Sequence, residues 1–123
     1  MIFEKVDCGK ASAVVVTSDT KVITDVGSAL DLLMSAKFEA GTKNIILDKT
    51  YITEDFFVLS SGLAGEILQK YVNYGGKLAI YGDFSRYTSK PLKDFIYESN
   101  KGKDVFFVAT RDDAIGMMRA ALS

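Results

Sequence analysis

A chain of 123 residues is long enough for one hydrophobic core and too short to give a second domain much to bury. With 48% apolar and 25% charged side chains it lies far from the composition of disordered chains, and 15 basic against 16 acidic residues leave a net charge of -1, without the positive field that gathers nucleic acid or anionic lipid. Histidine is absent, which excludes serine or cysteine triads with a histidine base and histidine-bearing zinc sites, leaving carboxylates, lysines, tyrosines and hydroxyls.

Met1-Ile2-Phe3-Glu4-Lys5 interrupts with charge the unbroken apolar segment that a secretory signal needs, so it is read as strand. No window approaches the roughly 20 apolar residues of a membrane span. Cys8 stands alone, so no internal disulfide can form, and a soluble, cytoplasmic protein without membrane contact is expected. Cys8 itself is read as a strand-end or turn residue, because no histidine exists to activate it.

In chain order, Ile2 to Asp7 and Ala11 to Thr17 are strand-like runs around Cys8-Gly9-Lys10, where Gly9 can supply the positive φ of a tight hairpin. Thr24 or Asp25 then caps a helix with Val26, Ala29, Leu30, Leu33, Met34 and Phe38 at helical spacing, stopped by Gly41. Asn44 to Leu47, ending at Asp48, is an unalternating strand typical of sheets covered on both faces. Thr53 to Phe57 leads into a helix expected to begin near Ser60 or Ser61, with Leu63, Ala64, Ile67, Leu68 and Tyr71 as its stripe and Tyr74-Gly75-Gly76 as its end.

Lys77 to Tyr81 is another buried strand, closing on Gly82-Asp83 before a polar loop over Ser85 to Ser89. Pro91 suits the first turn of a helix carrying Leu92, Phe95 and Ile96, with Asn100-Lys101-Gly102 as its stop. Asp104 to Ala109 is the last strand, and Thr110 with Asp113 opens a final helix through Ile115, Met118 and Leu122. The order β-β-α-β-α-β-α-β-α predicts a single α/β domain over residues 1–123. Its sheet is mixed and mostly parallel, with an N-terminal antiparallel hairpin and helices packed on it through right-handed crossovers. The pairs Phe56-Phe57, Phe106-Phe107 and Met117-Met118 are read as packing.

That order is similar to the STAS domain of bacterial anti-sigma-factor antagonists. Leu59-Ser60-Ser61-Gly62-Leu63 resembles the family's Asp-Ser-Ser-Gly-Leu signature, which opens the helix after the third strand, with Leu59 here in place of the acid. The resemblance implies a non-catalytic regulatory module that binds a protein partner, a kinase or an anti-sigma-like regulator. It also implies that Ser61 is the phosphorylated serine, with Ser60 beside it and Gly62 completing the turn. A longer stretch resembles an uncharacterised bacterial family, the domain of unknown function numbered 4180. The resemblance is carried by Asn44-Ile45-Ile46-Leu47-Asp48, by Gly62 through Lys70, and by the run from Leu78-Ala79-Ile80 through Gly82-Asp83-Phe84-Ser85 to Tyr97-Glu98-Ser99-Asn100. It implies the fold and assigns no chemistry.

Physical chemistry offers two uses for these residues. A hydroxyl at a helix N-terminus meets unpaired amides and the positive end of the dipole, so Ser61 is either a phosphate-tolerant switch or simply an N-cap. Asp48 and Asp83 both follow strands, where open α/β sheets collect ligands. Together they suit Mg²⁺ or acid–base work, with Arg86 or Lys90 steadying an anion; separately, each caps its own turn. Arg86, Lys90, Lys93, Lys101 and Lys103 form either an anion-binding patch or a solvated face. Neither Gly75-Gly76 nor Gly82-Asp83 has phosphate-loop spacing, so no cofactor is expected, and pairing of two copies into a homodimer through an edge strand stays open.

Overall fold

The computed structural model describes residues 1–123. The hairpin forms as expected, β1 (Ile2–Asp7) lying antiparallel to β2 (Ser12–Thr17), with Gly9 at φ 93° making the reversal. β3 (Asn44–Asp48), β4 (Lys77–Tyr81) and β5 (Val105–Val108) add in parallel, giving the order β1-β2-β3-β4-β5. Ile45-Ile46-Leu47 and Leu78-Ala79-Ile80 are fully buried, the consequence of a sheet covered on both sides.

Four helices cover it: α1 (Val26–Ala40), α2 (Leu63–Asn73), α3 (Lys90–Lys101) and α4 (Arg111–Leu122). Since the strands are consecutive, every parallel crossover steps the same way, and crossovers of one hand then leave their helices on one face. Leu33 of α1, Ile67 of α2 and Leu92 of α3 accordingly share a core with Val14, Ile45, Leu78 and Phe107. α4 alone covers the opposite face, where Ala114 and Met118 pack on Ala13, Val15, Ile46, Ala79 and Phe106. This asymmetry sets the geometry of the sheet's carboxyl edge.

The caps explain the helix limits. Asp25 and Ser28 form a reciprocal capping box, Gly41 closes α1 at φ 71°, Ser89 accepts from the Leu92 amide, and Thr110 accepts from the Asp113 amide at 3.1 Å. One stripe differs from expectation. Ala29, Leu32, Leu33 and Ala36 are the buried residues of α1, whereas Met34 is 42% and Phe38 92% exposed. At 3.6 residues per turn, Met34 and Phe38 lie about 140° and 180° around the helix from Ala29, on its outer side.

The outer strand β5 is closed by a side chain. Asn100 at the end of α3 donates from Nδ2 to the Phe107 carbonyl at 3.0 Å and accepts the Phe107 amide at 2.7 Å, as a neighbouring strand would. No helix is long and apolar enough to cross a membrane.

Candidate functional site

β3 does not lead straight into α2. Three 3₁₀ turns intervene, at Lys49–Tyr51, Glu54–Phe57 and Leu59–Ser61. The segment is pinned by the buried rings of Phe56 and Phe57, set edge to face with centroids 5.1 Å apart, and by the Thr53 amide donating to the Ile23 carbonyl at 2.8 Å. The last turn is thereby held at the surface, with both Ser60 and Ser61 exposed.

Neither serine begins the helix. Gly62, at φ 78°, breaks the helical path, so α2 starts at Leu63 and Gly62 occupies the capping position without a side chain to offer. Ser61 reaches over the break. Its hydroxyl donates to the Asp55 carbonyl at 2.7 Å and accepts the Leu63 amide at 3.2 Å, so one of the orphan donors of α2 is satisfied from one residue earlier than a usual cap. Ser61 therefore ties the 3₁₀ turn at Glu54–Phe57 to the mouth of α2.

Of the two candidate acids Asp48 ends β3 and Asp83 lies two residues past the adjacent β4, and each is engaged by its own turn. Asp48 Oδ1 accepts from the Thr50 amide at 2.9 Å and from the Thr50 hydroxyl at 3.0 Å. Asp83 Oδ1 accepts the Ser85 amide at 2.9 Å. Their electrostatic surroundings differ as well. The Ser85 side chain and amide hold the Asp83 carboxyl below its ordinary range, helped by Lys49 and Arg86. Asp48 faces Tyr81, whose phenol is raised first by burial and then by that carboxylate. No group of three or more cysteine or acidic side chains is placed to hold a metal ion.

Arg86 and Lys90 do not form one patch with Lys101 and Lys103. The 12 residues of α3 separate them by about 18 Å. Arg86 is paired with Glu54 at 2.9 Å, Lys90 with Asp94 at 2.7 Å, and Lys101 with Glu98 at 3.7 Å. What sequence reasoning missed is the hub around Tyr87. Its hydroxyl donates to Glu54 at 2.8 Å, its ring stacks on Phe57 at 5.0 Å, and Lys49 and Arg86 both lie over its face. Glu54 and Arg86 are 32 positions apart, and no periodicity links residues so distant. Cys8 is buried behind the hairpin and its thiol is pushed up by desolvation, which agrees with a turn residue.

Fold and site together define a mixed α/β domain whose carboxyl edge carries an exposed serine turn and two turn-capping acids. A family model described as a domain of unknown function (DUF4180) matches residues 9–118, and the chain belongs to that family. No curated protein and no solved structure matches it.

Proposed function

We propose that the chain is a non-catalytic regulatory module of the bacterial cytoplasm, STAS-like in fold, that binds a protein partner and is switched by phosphorylation at Ser61. The observation that carries this reading is the exposed Ser61 hydroxyl bridging Asp55 and Leu63. Esterification removes the proton donated to Asp55, so that tether is lost. It also brings about -1.5 to -2 units of charge to the mouth of α2, where the helix dipole and first-turn amides tolerate an anion. A kinase or anti-sigma-like regulator would meet either a neutral, tied turn or a charged, released one, while the sheet and both cores stay intact.

The engagement of Asp48 and Asp83 by their own turns supports a module without acid–base chemistry. The test is affinity purification of tagged wild type, Ser61→Ala and Ser61→Asp from a host that encodes the chain, with phosphosite mapping. A partner kept by Ser61→Ala and lost by Ser61→Asp supports the switch. The same partners on all three, with no phosphate on Ser60 or Ser61, reduce Ser61 to a structural tie.

A further inference from the structure

The carboxyl edge of the sheet opens at one place. The segments after β2, β3 and β4 all lead to helices on the same face, whereas Ala109 and Thr110 lead from β5 to α4 on the other. Adjacent strands whose exits diverge leave a crevice between them, which is where open α/β sheets hold ligands. A crevice of about 480 Å³ lies at that point, lined by Gly82, Asp83, Phe84, Ile96, Phe107 and Ala109, with Val108. Topology and cavity are independent observations, and they coincide. The volume falls in the range of small-molecule sites.

The lining states the chemistry of the occupant. Phe84 and Phe107 meet edge to face at 5.8 Å, and with Ile96 they form an apolar wall suited to a flat hydrocarbon or aromatic body. At the rim Asp83 is exposed and makes no salt bridge: Lys49 and Arg86 lie near it, but Arg86 is paired with Glu54 and the Lys49 ammonium bonds the Tyr87 hydroxyl. Arg111, the first residue of α4, is paired with Glu4 at 2.6 Å and does not line the crevice. Asp83 is the one charged side chain that lines the crevice. We infer that the crevice between the ends of β4 and β5 binds a small organic cation, with its flat apolar body against Phe84 and Phe107 and its ammonium on Asp83. The Ser85 amide, bonded to Oδ1 at 2.9 Å, fixes the Asp83 carboxylate at the rim and supports this assignment. The site stands apart from the Ser61 switch, and each is tested by residues the other does not use.

The test is a titration of the full-length chain, followed by amide chemical shifts, with phenethylamine as the cationic probe, phenylacetate as the anionic one and benzyl alcohol as the neutral one. Phenethylamine is expected to give saturable shifts centred on Gly82, Phe107 and Ala109, with a Kd of order millimolar for a ligand of this size. Phenylacetate is expected to give none, and benzyl alcohol weaker shifts at the same residues. Asp83→Asn retains a side chain able to form the same turn and is expected to weaken phenethylamine about tenfold with the remaining spectrum unchanged. Equal shifts from phenylacetate, shifts centred elsewhere, failure to saturate, or unaltered affinity in Asp83→Asn would each overturn the assignment.

Discussion

Asn100 and Phe107, seven positions apart, face each other through two hydrogen bonds that close the outer edge of the sheet. Both groups are part-buried, so removing the amide leaves the Phe107 N–H and C=O without partners. Asn100→Ala is expected to cost about 2 kcal/mol, read from the urea midpoint at unchanged slope. Because the β5 edge is then free to pair with another chain, the variant should also self-associate with concentration, which sedimentation velocity would detect.

A second buried bond gives a pH signature. Tyr71 is fully buried between α1 and α2, and its hydroxyl donates to the Ala29 carbonyl at 2.8 Å. Desolvation pushes its phenol far above the ordinary tyrosine value. The folded pKa thus exceeds the unfolded one. The associated stability is fully present below about pH 10, and it is lost as rising pH ionises the unfolded chain first. Urea midpoints measured at about pH 8 and about pH 11 should fall more for wild type than for Tyr71→Phe, which itself loses about 1 kcal/mol near neutrality.

Two glycines three positions apart should respond with opposite signs. An added Cβ meets nothing within 4 Å at either Gly62 or Gly65, so backbone conformation alone decides. Gly62 sits at φ 78°, and Gly62→Ala is expected to cost about 1 kcal/mol. Gly65 lies within α2, and Gly65→Ala is expected to add about 0.5–1 kcal/mol. Thermal unfolding of the pair checks the break before α2 on which the serine turn depends.

The serines separate in the same way. Ser61→Ala removes two hydrogen bonds at an exposed site and is expected to cost about 1 kcal/mol, whereas Ser60→Ala should stay within about 0.5 kcal/mol of wild type. Equal effects would mean that the tie from Ser61 to Asp55 is not maintained in solution.

Much of the fold was legible because local signals agreed with tertiary demand. Buried runs such as Ile45-Ile46-Leu47, glycines at the hairpin and after α1, and caps at Asp25 and Thr110 each marked an element from short range. Periodicity assigns Met34 and Phe38 to the buried side of α1 because they keep helical spacing with Leu30, yet they are 42% and 92% exposed. A serine before an apolar stripe looks like a cap, which sets the expected start of α2 two or three residues early, and only the positive φ of Gly62 shows the break. The pairing of Glu54 with Arg86 and Tyr87, and the crevice at β4 and β5, arise from chain segments brought together by topology. No local pattern encodes them.

The proposed switch at Ser61 is tested most directly by the affinity of a partner, once isolated, for chain stoichiometrically phosphorylated at Ser61, prepared by genetic incorporation of phosphoserine and compared with unmodified chain by calorimetry. Loss of the Ser61–Asp55 tie and the added charge predict at least a tenfold change in Kd, with the domain equally folded in both forms. Equal affinities, with the modified turn and its surroundings unaltered, would contradict the account.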